Sequence, residues 1–299
     1  MIPIGFTLQP NDEFLDLCEL LILEDADYYE VAPETLWRES LEGRLAPNGF
    51  HRRFLALKER TRRPFVAHGV ALSMGTADAK DAARRRRWLA QVKQDHRAFS
   101  FRWYTDHLGA TSLAGLNAAL PLPLPMTAEA AGVVRRRLRA MQRVVPDVGV
   151  ENNVAYFCLG DPLEEPAFLG RITAAARTWI LLDLHNLATM AVNFGFDARE
   201  YLEALDLSRI IEIHLSGGKQ SEPGWLPERR TMRLDSHDDA VPDAVWKLYS
   251  EVVSRCPRLK GVTLERMEGT VAADDVPLLR SELRQARRIA AGAMRRGRG

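Results

Sequence analysis

Residues 179–186 read WILLDLHN. A short apolar run, Trp179–Leu182, reads as a strand, and it is closed by three side chains that can bind protons or metals: Asp183, His185 and Asn186. Seven further apolar or β-branched runs repeat the pattern: Ile4–Leu8, Tyr28–Ala32, Phe65–Val70, Phe99–Thr105, Val148–Asn152, Ile210–Leu215 and Gly261–Glu265, with the first run extended to Trp179–Leu184. Between them lie Phe14–Leu23, Ala82–Lys93, Ala128–Val144, Pro166–Ala176, Ala198–Leu205, Ala244–Ser254 and Val276–Ala291, whose apolar residues recur every three or four positions, as in helices with one buried face. Alternation of this kind implies parallel strands joined by right-handed crossovers. Eight units of roughly 37 residues make a (β/α)8 barrel. An open doubly wound sheet also alternates, but no GxGxxG opens the first unit. The expected fold is a single α/β TIM-barrel domain over residues 1–299, ending in a frayed basic tail at 295–299.

Two stretches break the rhythm. Leu116–Pro125 (LNAALPLPLP) is proline-rich and reads as an extended loop over one mouth of the barrel. Ser216–Thr231 (SGGKQSEPGWLPERRT) has the composition of an active-site loop, with Lys219 and Trp225 as candidates for substrate contact. The run Arg84–Arg87 reads as a solvated helix face.

Composition excludes several classes. With 299 residues, 46% hydrophobic and 27% charged, the chain is neither disordered nor fibrous. Its net charge of +1 argues against a nucleic-acid or membrane partner bound mainly by electrostatics. The opening MIPIGFTLQPNDEF lacks a basic segment followed by an apolar stretch, and no apolar run approaches a membrane span, so a cytoplasmic location is expected. The isolated Cys18, Cys158 and Cys256 read as buried free thiols.

Barrel enzymes carry their chemistry at the C-terminal strand ends. Those ends hold His68, Asp106 with His107, Glu151 with Asn152, Asp183 with His185 and Asn186, Glu212 with His214, and Glu265; Asp235 and His237 follow in the loop after the seventh strand. Five of the seven histidines thus fall at one mouth, while His51 and His96 lie on helices or their approaches. One strand-end histidine is ordinarily structural, and Asp106 or Asn186 could cap a following helix. Ionisable groups on six strand ends are costly to bury without a counter-charge, which cations would supply. Imidazole and carboxylate without thiolate suit Fe, Mn, Co or Zn. The nine candidate ligands, His68, His107, Glu151, Asp183, His185, His214, Asp235, His237 and Glu265, exceed what one octahedral ion uses, so at least two metals are expected. Asp106, Asn152 and Asn186 are the candidate catalytic residues beside them.

HGVALSMG at 68–75, TDHL at 105–108, EN at 151–152, LLDLHN at 181–186, EIHLSG at 212–217, LDSH at 234–237, VPDAVWKLY at 241–249 and LE at 264–265 resemble the DUF692 family of multinuclear non-haem iron-dependent oxidative enzymes. The resemblance runs from about residue 4 to residue 285. It implies a xylose-isomerase-like TIM barrel holding two or three Fe(II)/Fe(III) ions, O2 as co-substrate, and a ribosomally made precursor peptide whose Cys, Asp or other residue is oxidised, with a small leader-peptide-recognition protein as partner in some members. It would place iron ligands at His68, His107, Glu151, Asp183, His214, Asp235, His237 and Glu265. The chain departs from the family where His185-Asn186 replaces two asparagines and where Phe194 stands in place of a histidine. It departs also in the segments Pro33–Leu36 and Asn153–Tyr156. His185 is then an added or substitute ligand: on an extended strand it would share the face of Asp183, two residues before it. The alternatives are a non-oxidative divalent-metal barrel enzyme, similar to sugar isomerases or to endonuclease IV, and a non-catalytic binding subunit.

Overall fold

The computed structural model describes residues 1–113 and 116–296. Eight parallel strands close a barrel: β1 Ile4–Thr7, β2 Tyr28–Val31, β3 Phe65–Gly69, β4 Tyr104–His107, β5 Val148–Glu151, β6 Thr178–Asp183, β7 Ile210–Leu215 and β8 Gly261–Leu264. Each pairs with its neighbours in chain order, and β1 meets β8 through Ile4↔Val262, Gly5↔Thr263 and Phe6↔Leu264. The helices are α1 Asp12–Leu17, α2 Glu19–Glu24, α3 Gly49–Thr61, α4 Ala82–Phe99, α5 Ala128–Gln142, α6 Glu165–Ile172, α7 Leu184–Phe194, α8 Ala198–Ala204, α9 Asp243–Val252 and α10 Val276–Arg296. The expected (β/α)8 barrel is therefore present, with its strand ends within a residue or two of the sequence reading at seven of the eight strands.

The helices bury the faces their periodicity marks; α5 turns Ala131, Val134, Leu138 and Met141 inward. The strands are buried on both sides, as in any sheet wrapped by helices. Inside the barrel, Tyr28, Val66, Trp103 and Ile211 form a small apolar cluster separate from the main core. The Tyr28 side chain takes space that only glycine leaves free, because a Cβ on Gly5 would come within 2.4 Å of its ring and one on Gly261 within 2.4 Å of its hydroxyl. Above this cluster lies Glu212, which accepts hydrogen bonds from Trp103 Nε1 (2.5 Å), Tyr28 Oη (2.8 Å) and Thr263 Oγ1 (2.6 Å).

Several expectations need correction. The strand assigned to Phe99–Thr105 begins only at Tyr104, because α4 continues to Phe99 and ends at Ser100, whose φ of 58° is left-handed. The stretch Leu116–Pro125 is not simply a loop: Leu116–Leu122 is a strand antiparallel to Ala110–Leu113, with Ala110 opposite Leu122. Proline is tolerated there because the pair is a two-stranded ribbon whose strands both have a free edge. Helix α3 escaped the sequence reading, although Asn48 caps it by accepting from the Phe50 and His51 amides. Arg84 and Arg85 are not simply solvated, since both bind Asp81, and Arg84 also donates to the Ala71 and Leu72 carbonyls. Cys18 and Cys256 are buried free thiols, whereas Cys158 is half-buried. At the chain end Arg295 and Arg296 belong to α10, and 297–299 lie outside the described residues. No helix among the described residues is long and apolar enough to cross a membrane.

Candidate metal centre

The strand ends converge as the topology requires. His68 on β3 and His107 on β4 are fixed through their Nδ1 atoms, the first against Thr105 Oγ1 (2.9 Å) and the second against the Gly69 carbonyl (3.1 Å). Both Nε2 atoms then aim at one oxygen, Oε2 of Glu151 on β5, at 3.4 and 3.3 Å. That oxygen is buried and has no hydrogen-bond partner. Its other oxygen accepts from Asn186 Nδ2 at 3.1 Å.

His214 on β7 occupies the centre. Its Nε2 is 3.0 Å from Glu30 Oε2, and its Nδ1 is 3.0 Å from Glu265 Oε2 and 4.0 Å from Asp183 Oδ2. The Nδ1 contact is close without hydrogen-bond alignment, and Nδ1 and Asp183 Oδ2 are both buried without partners. On the far side His237 Nε2 is 2.7 Å from Asp235 Oδ1, and its Nδ1 is 3.6 Å from Glu265 Oε2. His237 holds a left-handed φ of 50°, an uncommon backbone state for which histidine is one of the more tolerant residues.

Electrostatics follow from the crowding. Burial drives the His68 imidazole down to about 3, helped by His107 and His214. Burial raises the Asp183 carboxyl to about 7, with Glu151, Asp235 and Glu265 pushing the same way. Burial opposes charge on His237, but Asp235 and Glu265 outweigh it and lift the imidazole to about 10. Burial likewise opposes ionisation of Glu265, yet His214 and His237 hold it well below the usual carboxylate range. Glu30 and Glu151 are raised by burial.

Among the described residues four overlapping triads have ligand atoms within 4.8 Å of one another: His68/His107/Glu151, Glu30/His214/Glu265, Glu151/Asp183/His214 and Asp183/His237/Glu265. Buried polar atoms are nearly always satisfied, so Glu151 Oε2, Asp183 Oδ2 and His214 Nδ1, orphaned in one cluster, fit cations better than they fit one another. The donors are imidazole nitrogen and carboxylate oxygen, and none of the triads includes a thiol.

His185 is placed differently from its expectation. It lies on α7, which begins at Leu184 directly after the strand; Asp183 is the helix cap, its Oδ1 accepting from the Asn186 amide at 2.7 Å. An extended backbone therefore does not relate Asp183 to His185. His185 Nδ1 instead faces Asp235 Oδ1 at 3.3 Å, and its Nε2 is buried without a partner. Asn152 grips the backbone of Asp183 at both ends, receiving its N–H (2.7 Å) and donating to its carbonyl (3.0 Å). Asp106 is not brought into the cluster. Thr105 and His107 face inward, so Asp106 takes the outer face of β4, where the Tyr104 hydroxyl donates to it at 2.7 Å and burial and Glu34 hold its carboxyl well above the usual range.

The ligand set read from the sequence omitted Glu30. It sits in the middle of an otherwise apolar strand, YYEV, and a carboxylate fully buried there was a visible signal. The loops after β5 and β7 are tied together above the site by the Asp235 amide, which donates to Tyr156 Oη at 3.1 Å. Lys219 reaches Asp238 at 3.2 Å, and Trp225 is 66% exposed.

The chain is similar to several solved structures and curated sequences. Solved barrels of like architecture include a D-tagatose 3-epimerase-like protein (TM-score 0.61, 13% identity, covering 98% of this chain and 100% of that one) and a xylose isomerase domain protein from Planctomyces limnophilus (TM-score 0.60, 12% identity, 99% and 98% covered). At such identities the likeness concerns the fold alone. Curated relatives described as UPF0276 proteins are 37% identical over 270 residues in Anaeromyxobacter sp. (89% of this chain, 88% of the relative) and 34% identical over 274 residues in Rhizorhabdus wittichii (90% and 88%). The profile of the family described as RiPP precursor modification enzyme MbnB/TglH/ChrH matches residues 5–291, nearly the whole chain, and the chain belongs to that family.

Proposed function

We propose that this chain is a multinuclear, iron- and O2-dependent oxidase that modifies a residue, Cys, Asp or another, of a ribosomally made precursor peptide in the cytoplasm, with a small leader-recognition protein as partner. The observation that carries the reading is the group of orphaned donors, Glu151 Oε2, Asp183 Oδ2 and His214 Nδ1, within one buried imidazole–carboxylate cluster. Membership of a precursor-modifying family supports the peptide substrate.

His68, His107 and Glu151 would hold one ion; Glu30, Asp183, His214, His237 and Glu265 offer donors for one or two more, with Asp235 and His185 adjoining. Iron bound there would supply one-electron chemistry with O2. The protein's own part is positional. Asn186 donates its side-chain amide to Glu151 Oε1 and its backbone N–H to Asp183 Oδ1 while Asn152 pins the Asp183 backbone, so both carboxylates present their second oxygens to the cluster. Asn152 and Asn186 are positioning residues, and Asp106 has no part in the reading. The substrate peptide would lie across the mouth, over the loop that carries Lys219 and Trp225.

The test is anaerobic purification, iron reconstitution, elemental analysis, and O2 consumption with a co-encoded short peptide. Two or three irons per chain and peptide-dependent O2 uptake are expected. Fewer than two irons, with zinc held instead and no O2 uptake, would overturn the oxidase reading in favour of a non-oxidative divalent-metal barrel enzyme.

A further inference from the structure

The lower end of the barrel carries a cavity of about 830 Å³, remote from the strand ends that hold the metal donors. Its position follows from which residues line it. Pro3, Pro64, Trp103, Asp147, Arg177 and Lys260 each fall within one residue of the start of a strand, at the N-terminal face. In barrels that face ordinarily serves stability. Here it is hollow, within the size range of small-molecule sites.

The floor is apolar. Tyr28, Val66 and Trp103 are buried, and they belong to the small cluster that fills the lower barrel, with Phe101 beside them. Tyr28 and Trp103 pack edge to face, their centroids 5.7 Å apart. Their polar atoms turn away from the cavity's needs, since the Tyr28 hydroxyl and the Trp103 indole N–H both donate to Glu212 deeper in the barrel. What the floor offers a ligand is ring and methyl surface.

The rim is cationic. Among the lining residues two carboxylates, Asp27 and Asp147, stand against Arg102, Arg177, Lys260 and the Met1 ammonium, and both carboxylates already have cationic partners. Asp147 accepts from Arg177 (2.9 Å), Lys260 (3.1 Å) and Trp179 Nε1 (2.8 Å), and Asp27 accepts from Arg287 (2.9 Å). Arg102 is exposed at the rim and has no carboxylate partner among the described residues. His96, on the wall, keeps Nδ1 buried without a partner, and burial holds its imidazole below the usual range, so it stays neutral and adds a polar contact rather than a charge.

We propose that this cavity is a second ligand site, for an amphipathic monoanion: an alkyl or aryl carboxylate whose apolar body covers Trp103, Phe101 and Val66 and whose head group meets Arg102. The head group follows from the surplus of positive charge at the rim, where Arg102 stands unpaired and Arg177 and Lys260 share the single carboxylate of Asp147, and the body follows from the floor. The site does not depend on the metal chemistry above it.

Calorimetric titration of the full-length protein with decanoate, decanol and decyltrimethylammonium, all below micelle concentrations, tests this. One decanoate per chain is expected, bound at least fivefold more tightly than either other probe. Arg102→Glu should weaken decanoate at least tenfold and favour decyltrimethylammonium, with metal content unchanged; Arg102→Gln should fall between. Equal affinity for the three head groups, a stoichiometry well above one, or an unaltered Arg102→Glu variant overturns the proposal. So does decanoate binding that disappears once the upper cluster is loaded with zinc, because the carboxylate would then have been sitting on the metal donors.

Discussion

Glu30 and His214, 184 residues apart, meet across the barrel with Oε2 3.0 Å from Nε2. Glu30 is itself held by Thr7, whose hydroxyl donates to Oε1 at 3.0 Å. On its other side His214 faces Glu265 at 3.0 Å, so carboxylates from β2 and from the end of β8 clasp one imidazole. Burial opposes its charge, but Glu265 and Glu30 together hold His214 well above the usual histidine range. The two carboxylates thus favour the protonated form of an imidazole that burial alone would keep neutral.

Replacing Glu30 tests whether this clasp serves a metal. Glu30→Gln preserves the shape and removes the charge, and metal affinity should fall at least tenfold in equilibrium dialysis with elemental analysis. An unchanged affinity would reduce Glu30 to a hydrogen-bond partner of His214.

His185 touches Asp235 through Nδ1, and it lies outside the four triads. His185→Asn should accordingly weaken metal binding about tenfold by loosening Asp235, while the number of ions bound at saturation stays the same. Loss of a whole equivalent of metal would instead make His185 Nε2 a direct ligand.

Asn152 carries two hydrogen bonds to the buried backbone of Asp183. Asn152→Ala leaves an N–H and a carbonyl unsatisfied, which costs about 2–6 kcal/mol at 1–3 kcal/mol per buried group. Urea denaturation of the metal-free protein measures it, and a loss below about 0.5 kcal/mol would show that water replaces the amide.

Glu165, which belongs to none of the four donor triads, offers a pH dependence of its own. Burial lifts its carboxyl to about 7, against the hydrogen bonds it accepts from Tyr201 Oη (2.7 Å) and the Asn153 amide (3.0 Å). The folded state thus keeps a proton that the unfolded chain releases near 4.5. Its contribution to stability is complete below about pH 4.5 and is lost as the pH rises through 7. Glu165→Gln carries no such proton. In metal-free protein it should gain on the wild type between pH 5 and pH 8, approaching roughly 3 kcal/mol at 1.36 kcal/mol per pH unit. A stability difference that does not vary with pH would refute this.

How far the sequence could be read is clear from particular residues. The runs marked at Val148–Asn152, Trp179–Leu184, Ile210–Leu215 and Gly261–Glu265 became the strands Val148–Glu151, Thr178–Asp183, Ile210–Leu215 and Gly261–Leu264, since a strand buried on both faces has no polar alternative to present. That His68, His107, Glu151, Asp183, His214 and Glu265 gather at one mouth was legible for a related reason, since parallel strands in a closed barrel put their C-terminal ends together; Asp235 and His237 come from the loop after β7. Leu116–Leu122 was not legible as a strand, because its partner's register is a matter of pairing across the turn rather than of local pattern.

The sequence by itself determined the period of the chain and the mouth at which its ionisable groups collect, because both follow from local patterning and from the one-way sense of a parallel barrel. Tertiary structure alone decided which atoms face each other. Glu30 joins His214 because β2 and β7 look across the same interior, a relation that no spacing of 184 residues encodes. His185 turns to Asp235 because Asp183 caps a helix rather than extending a strand, and Asp106 turns outward because Thr105 and His107 took the inward face of a four-residue strand. The lower cavity is of the same kind: the segments that precede the strands meet only when the barrel closes, and the positive charge left over at its rim emerges only after each carboxylate has found its partners.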